Sequence, residues 1–212
     1  MTALPLFPDS QTTELPFDVN SWETPDSVAQ KMAALVLPSD RRILEPAAGT
    51  GQIATAIQQV VDTDRTSLVA IELKPSRLTA GQQRAFLFYW YQLNFISSNF
   101  ERYTPGWREE GFHLIITNPP FDLALQFIER SLELLDRSYE HARLLYLLPC
   151  DVFQSKARGD YFKRLDCHIH HRYLIQGRVA YLKNGVAVSG RQISDCVYDI
   201  RPGRQGASET FL

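Results

Sequence analysis

The chain has 212 residues, of which 44% are hydrophobic and 22% are charged, and its formal net charge is −2. This composition is typical of a globular protein and excludes a disordered chain, a collagen-like repeat and a disulfide-stabilised miniprotein. The charge is unevenly distributed, because residues 1–150 hold 12 Lys and Arg against 18 Asp and Glu, whereas residues 151–212 hold 10 against 6. We therefore expect an anionic partner to bind the basic C-terminal third.

Cysteine usage and hydropathy indicate a cellular compartment. The three cysteines are widely spaced and form no CxxC pair, which is typical of a reducing environment. The first ten residues lack the basic region and apolar core of a signal peptide, and no window approaches the roughly 18 apolar residues of a membrane span. We expect a cytoplasmic protein with no membrane contact.

The first two thirds of the chain alternate apolar runs with helical periodicity. After an irregular lead-in over residues 1–21, a helix is predicted from Thr24, the expected N-cap, through Pro25 to Pro38. Further strands are predicted at 41–46, 67–72, 93–97, 112–121 (running into a loop) and 142–149, and further helices at 52–62 and 122–136. Strands that alternate with helices predict a mostly parallel sheet in an α/β fold.

The remaining segments have a different pattern. Residues 151–173 predict a short basic helix and a loop, and two strands are predicted over 178–192 and 193–200, with the turn at Asn184-Gly185. The aromatic run 86–91 is more typical of a buried helix face than of a base-contacting surface. We find no internal repeat, and residues 22–200 are expected to form one domain followed by a tail over 201–212.

A glycine-containing loop follows the first predicted strand. In Glu45-Pro-Ala-Ala-Gly49-Thr-Gly51, the two glycines allow a tight turn and a close approach to a ligand. Glu72 ends the next strand, where an acidic side chain can accept hydrogen bonds from both ribose hydroxyls of a nucleoside cofactor. The pattern also fits a dinucleotide-binding unit, but the Glu45 carboxylate would repel a pyrophosphate. A cofactor with a sulfonium and an amino group suits it better, so we expect S-adenosyl-L-methionine.

The most specific motif is Asn118-Pro119-Pro120-Phe121, at the carboxyl end of a predicted buried strand. An exocyclic amino group on a planar ring is a poor nucleophile, because its lone pair is delocalised. The Asn118 side-chain oxygen and the Pro119 carbonyl can bind its two hydrogens and direct the lone pair at a methyl donor, while the prolines fix these acceptors. Phe121 can stack on the ring. A strand-ending Pro-Pro turn without catalytic function is the alternative interpretation.

Together these motifs resemble the amino-methyltransferases that carry Asn-Pro-Pro-Phe, most of all small adenine-N6 DNA methyltransferases of the γ order, of the kind found in phages and mobile elements. The resemblance implies a Rossmann-like class I fold, with a seven-stranded, mostly parallel sheet and a reversed C-terminal hairpin that residues 178–200 could supply. It implies cofactor contacts from one group of residues: Thr24, Pro25, Glu45, Ala47, Gly49, Gly51, Glu72, Asn99 and Phe100. Asn99 stands where many relatives have an acid.

The expected substrate is double-stranded DNA with the target adenine flipped out of the helix. Basic side chains in the C-terminal third are candidates for phosphate contacts or for a solvated helix face: Lys156, Arg158, Arg178, Lys183 and Arg191. Restriction-system relatives carry a recognition domain for which this chain has no room, so specificity is expected from insertions at 75–91, 103–111 and 151–173. RNA bases, protein glutamine, and a cofactor-binding subunit that needs a partner chain or oligomer remain alternatives.

The stretch Cys167-His-Ile-His-His171 raises the question of a metal site. On a strand, His168 and His170 share one face and Cys167 shares the other with Ile169, so only two adjacent ligands point the same way. We therefore expect no metal and interpret the stretch as a surface histidine cluster.

Overall fold

The computed structural model describes residues 22–74, 77, 89–98, 110–183, 186–187 and 194–203. The strands are β1 (Arg42–Glu45), β2 (Ser67–Glu72), β3 (Tyr89–Gln92), β4 (Leu114–Thr117), β5 (Arg143–Pro149), β6 (Cys167–Leu174), β7 (Leu182–Lys183), β8 (Val186–Ala187) and β9 (Asp195–Pro202). Seven of them form one sheet in the order β3-β2-β1-β4-β5-β9-β6, and β7 and β8 form a separate hairpin. Strands β1 to β5 pair in parallel, whereas β9 runs antiparallel between β5 and β6. The predicted seven-stranded, mostly parallel sheet with a reversed C-terminal hairpin is confirmed.

Helices cover both faces of this sheet. They are α1 (Asp26–Ala33), α2 (Gln52–Gln58), α3 (Ala124–Leu134) and α4 (Lys156–Arg164). Helices α1 and α2 pack on one face, while α3 and α4 pack on the other. Strand β5 alternates between the two cores, with Leu144, Tyr146 and Leu148 on the α3 face and Leu145 and Leu147 on the α1 face. Burial on both faces explains why the central strands are uninterrupted apolar runs. None of the helices in the described part of the chain is long and apolar enough to cross a membrane.

The start of α1 differs from the sequence prediction. Pro25 is the N-cap, and no side chain caps the helix. The Pro25 carbonyl accepts hydrogen bonds from the backbone N–H groups of Val28 and Ala29, at 2.9 and 3.0 Å. The prediction that Thr24 caps this helix is therefore wrong, and its buried hydroxyl is used elsewhere.

The third strand lies earlier in the chain than predicted. Strand β3 spans Tyr89–Gln92, whereas residues 93–97 form a turn that follows it. The helix interpretation of the aromatic run is wrong for residues 89–91, because these residues form the edge strand of the sheet. Trp90 is buried and Tyr89 is exposed, as expected of an edge strand that packs on only part of its surface. Residues 86–88 lie outside the described part of the chain.

The C-terminal hairpin uses a partner that the sequence prediction placed in a loop. Strand β9 pairs with β6, which contains the histidine-rich stretch and was expected to belong to an insertion over 151–173. The segment predicted to supply both strands instead gives β9 and the small β7–β8 hairpin. An isolated bridge joins β7 to the N-terminal segment, between Leu182 and Glu23.

Candidate active site

A cavity of about 960 Å³ lies at the carboxyl ends of the parallel strands. The loops that follow β1, β2, β3, β4 and β5 all contribute to its wall, and this is the edge at which open α/β sheets bind ligands. The cavity brings together ten of the residues singled out from the sequence: Thr24, Glu45, Ala47, Gly49, Glu72, Asn118, Pro119, Pro120, Phe121 and Arg158.

The glycine loop is tied to the end of the second strand. Gly49 and Gly51 have φ angles of 59° and 87°, in the left-handed region that favours glycine, and Gly51 is the N-cap of α2. The Gly49 N–H donates to Glu72 Oε2 at 2.8 Å, and the Lys74 N–H donates to Glu72 Oε1 at 2.9 Å. Each carboxylate oxygen can accept more than one hydrogen bond, so Glu72 can hold the loop and still bind a hydroxyl in the cavity.

Glu45 is a buried acid with one unsatisfied carboxylate oxygen. The residue is 1% exposed, and its Oε2 accepts no hydrogen bond from any residue that the structure describes. Burial raises the pKa of Glu45 well above its usual value, the backbone N–H of Ala54 opposes this increase, and the nearby Glu72 carboxylate adds to it. A cationic ligand would compensate both the orphaned oxygen and the burial. The ammonium and sulfonium groups of S-adenosyl-L-methionine therefore fit the residues present.

The Asn118 side chain has one end fixed and the other available. Its Nδ2 donates to Thr24 Oγ1 at 3.0 Å, across 94 positions of sequence. Its Oδ1 is buried and accepts no hydrogen bond from the residues described. Because Asn118 lines the cavity, we expect this unsatisfied oxygen to accept a hydrogen bond from a ligand that brings a donor.

Phe121 is held at the cavity wall by aromatic neighbours. It begins a short 3-10 turn, Phe121–Leu123, in which the Leu123 N–H donates to the Pro120 carbonyl at 2.9 Å. Its ring meets the Tyr181 ring edge-on, with the two ring centroids 6.0 Å apart. The Tyr181 ring in turn lies beside the Trp22 ring, with ring centroids 6.5 Å apart. These contacts connect the Asn-Pro-Pro-Phe loop with the segment before β7 and with the N-terminal segment.

Several predicted site residues lie away from the cavity or outside the described chain. Pro25 and Gly51 do not line the cavity and instead shape the starts of α1 and α2. Among the basic candidates, Lys156 and Arg178 are exposed and do not line it either, and Lys183 lies in the β7–β8 hairpin. Three of the predicted residues fall outside the described residues: Asn99, Phe100 and Arg191.

A second Asn-Phe pair, which the sequence analysis missed, lies directly after β3. Asn94 and Phe95 line the cavity, and Asn94 Oδ1 accepts hydrogen bonds from the backbone N–H groups of Ile96 and Ser97, at 3.0 and 3.3 Å. Phe95 is buried against Phe127 with ring centroids 5.1 Å apart. The pair has the same polar–aromatic order as Asn99-Phe100. The sequence does not single out this pair, because the apolar pattern predicts a strand over the residues that form this turn.

The histidine-rich strand carries no metal cluster. Within the described ranges, no group of three His, Cys, Asp or Glu side chains is placed to hold an ion. His168 Nδ1 lies 2.7 Å from the Gly203 carbonyl, a contact that ties β6 to the end of β9.

Comparison with known proteins gives structural but no sequence relatives. No protein-family model matches the chain, and no curated protein matches it. TrmN from Thermus thermophilus superposes with a TM-score of 0.54 at 17% identity, over 84% of this chain and 48% of TrmN. A modification subunit assigned to a type I restriction enzyme of Vibrio vulnificus superposes with a TM-score of 0.64 at 16% identity, over 91% of this chain and 46% of the subunit. A protein of Pyrococcus horikoshii assigned as an RNA methyltransferase superposes with a TM-score of 0.61 at 12% identity, over 86% of this chain and 88% of that protein.

These likenesses establish the fold. The chain has the architecture of the class I S-adenosylmethionine-dependent methyltransferases, and its cavity lies at the carboxyl edge of the sheet. It spans about half the length of TrmN and of the Vibrio vulnificus subunit. At these identities the fold carries no information on the substrate, so activity must be argued from the site.

Proposed function

We propose that this protein transfers a methyl group from S-adenosyl-L-methionine to the exocyclic N6 amino group of adenine in DNA. The observation that carries the proposal is the Asn118 amide, whose Oδ1 is buried at the cavity without a partner among the described residues. A buried acceptor left without a donor costs free energy, about 1–3 kcal/mol for a neutral group. A ligand with an amino group removes this cost when it binds.

Asn118 and Pro119 act on the target amino group together. Two acceptors that bind both amino hydrogens favour a pyramidal nitrogen, whose lone pair is then localised and directed away from them. S-adenosyl-L-methionine supplies, when bound, a methyl group on a positively charged sulfur. Transfer of this methyl group to the target nitrogen would form the nitrogen–carbon bond and break the carbon–sulfur bond, whose electron pair would stay on the departing sulfur. The surplus proton on nitrogen leaves to water after transfer, so the site needs no general base.

The cofactor side of the cavity is formed by the first three strands. Glu45 faces the cationic end of the cofactor and Glu72 accepts from the ribose. Asn94 and Phe95 bound the adenine end, since they follow β3 and line the cavity, whereas the Asn99-Phe100 pair expected from the sequence lies outside the described residues. The Asn94 side-chain oxygen already accepts two backbone hydrogen bonds. The Asn94 amide nitrogen is therefore the group that donates to a ring nitrogen of the cofactor's adenine.

The substrate side is formed by the Asn-Pro-Pro-Phe loop and the start of α4. Phe121 stacks on the flipped base, and Arg158 lines the cavity where it can contact a phosphate of the substrate strand. RNA is the second candidate substrate, because the Pyrococcus horikoshii structure of the same fold carries an RNA methyltransferase assignment and an unstacked base presents the same amino group.

The test is methyl transfer from tritiated cofactor to separate pools of DNA, RNA and protein, followed by identification of the modified base. We expect N6-methyladenine in DNA, and a loss of at least a hundredfold for Asn118→Ala. Thr117→Val is the matched control, because it removes, one residue earlier, a buried hydroxyl that has no partner among the described residues, and it should leave the rate within about twofold of wild type. Transfer to RNA or protein alone, or equal transfer by the Asn118 variant, would contradict the proposal. Transfer that appears only with a partner chain would identify a subunit of a larger enzyme.

A further inference from the structure

We infer that Thr24 is a positioning residue whose hydroxyl fixes the orientation of the Asn118 amide. The inference rests on the proposed function, since the amide orientation matters only if Asn118 must accept a hydrogen bond from the substrate. It assigns Thr24 a role different from the cofactor contact that the sequence resemblance implies.

The Thr24 side chain is not used by its own helix. Pro25 is the N-cap of α1, and no side chain caps that helix. Thr24 is 6% exposed, and its Oγ1 accepts a hydrogen bond from Asn118 Nδ2 at 3.0 Å. A buried hydroxyl that a local cap leaves unused thus meets the side chain that begins the Asn-Pro-Pro-Phe loop.

The orientation of an asparagine amide decides what the cavity offers a substrate. The carbonyl and NH2 ends have nearly the same shape, so a half-turn about the last side-chain bond exchanges an acceptor for a donor. An NH2 group turned toward the cavity would face the hydrogens of the target amino group, and no hydrogen bond could form. Among the described residues, Thr24 is the partner that Asn118 has for its amide nitrogen, and Oδ1 has none.

Thr24 is itself held by the fold. The neighbouring Glu23 exchanges two backbone hydrogen bonds with Leu182. The Glu23 N–H donates to the Leu182 carbonyl at 2.8 Å, and the Leu182 N–H donates to the Glu23 carbonyl at 3.0 Å. Tyr181, the residue before Leu182, packs against Phe121. Tyr181 and Leu182, at the entry to β7, therefore support both ends of the Asn-Pro-Pro-Phe loop: Asn118 through Thr24, and Phe121 through Tyr181.

The experiment compares Thr24→Val, which keeps the shape and removes the hydroxyl, with Thr24→Ser, which keeps the hydroxyl. We expect Thr24→Val to lower kcat about tenfold, the cost of one hydrogen bond, and Thr24→Ser to stay within about twofold. The Kd for S-adenosyl-L-methionine, measured by calorimetry without substrate, should stay within about twofold in both. Thr117→Val, the loss of a buried hydroxyl that has no partner among the described residues, is the control and should change neither quantity.

A parallel loss of cofactor affinity and kcat in Thr24→Val would overturn the inference, because it would make Thr24 a cofactor ligand. An unchanged kcat would overturn it as well. A second readout is independent of activity: the side-chain amide resonances of Asn118, identified by their absence in Asn118→Ala, should exchange with solvent faster in Thr24→Val than in wild type or Thr24→Ser. If wild type methylates none of the pools, the proposed function fails, and the exchange rates still decide whether Thr24 holds the amide.

Discussion

Glu45 and Glu72 end neighbouring parallel strands at the same cavity, but only the Glu72 carboxylate accepts backbone hydrogen bonds with both of its oxygens. Oε2 of Glu45 accepts none from the described residues, and burial of the two acids raises the pKa of each. The pair thus combines a satisfied acid that shapes the glycine loop with an unsatisfied one that needs a cation.

This difference predicts that cofactor binding depends on pH. In the free protein the raised pKa of Glu45 keeps its carboxyl protonated at pH values where an exposed glutamate is ionised. A bound cation favours the carboxylate and lowers this pKa, so between the two pKa values binding releases a proton and affinity increases with pH, by up to about tenfold per pH unit. Calorimetry in two buffers of different ionisation enthalpy measures the released proton.

Glu45→Gln is the variant that assigns this proton. The amide cannot ionise, so the contribution of Glu45 to the pH dependence should disappear while that of Glu72, whose pKa burial also raises, remains. The variant should also bind the cofactor more weakly at high pH. Proton release of the same size in wild type and in Glu45→Gln would show that another group titrates.

Arg143 and Asp40 form a buried ion pair at the amino ends of the strands, and we expect its disruption to lower the free energy of unfolding strongly. Arg143 donates to both carboxylate oxygens of Asp40, at 3.0 and 2.8 Å, and the two side chains are 3% and 0% exposed. Replacing one partner leaves the other charge buried and uncompensated, so Asp40→Asn should lower the free energy of unfolding by about 3–5 kcal/mol. Urea denaturation checks this value. Asp160→Asn, which breaks the exposed pair with Lys156, should unfold at the wild-type urea concentration.

Phe121 is predicted to affect substrate binding through stacking. Phe121→Ala removes the ring that we propose stacks on the flipped base and should increase KM for the nucleic acid by about tenfold or more, whereas Phe121→Trp should retain most of the affinity. With 2-aminopurine at the target position, fluorescence reports whether the base leaves the helix. An alanine variant with wild-type KM and wild-type fluorescence would show that the ring serves only the contact with Tyr181.

Arg158 is predicted to contact a phosphate. Arg158→Ala should weaken binding to all nucleic acid sequences to a similar extent and decrease the slope of log K against log salt by about one. Arg65→Ala is the matched control for net charge, because Arg65 precedes β2 at the opposite end of the sheet, where its side chain is 74% exposed. Equal salt slopes for the two variants would mean that net charge alone is responsible.

Much of the fold could be predicted because the central strands are buried on both faces. Strands β1, β2, β4 and β5 lie within the segments predicted from their apolar runs, and the glycine loop and Asn118-Pro119-Pro120-Phe121 follow two of them. A parallel sheet brings the carboxyl ends of its strands to one edge, so the order of these motifs along the chain is enough to predict a shared site.

The edge strands could not be predicted in the same way. Strand β3 has only Trp90 fully buried, and the outer half of β6 is exposed, so neither has the apolar pattern of a central strand. The run over 93–97 was mistaken for a strand because its apolar residues pack against the cavity wall and the core instead. For the same reason the sequence pointed to Asn99-Phe100, which lies outside the described residues, and not to Asn94-Phe95, which lines the cavity.

By itself the sequence pointed to the type of chemistry that we propose, through residue types held at short spacing: an acid before two glycines, a second acid ending the next strand, and an asparagine before two prolines. The tertiary structure decided which partners these groups have. The hydrogen bond from Asn118 to Thr24 spans 94 positions, and the Tyr181 ring packs on Phe121 from the segment just before β7, outside the main sheet. Local pattern carries no information on such contacts, because they form only when the sheet brings distant segments to one edge.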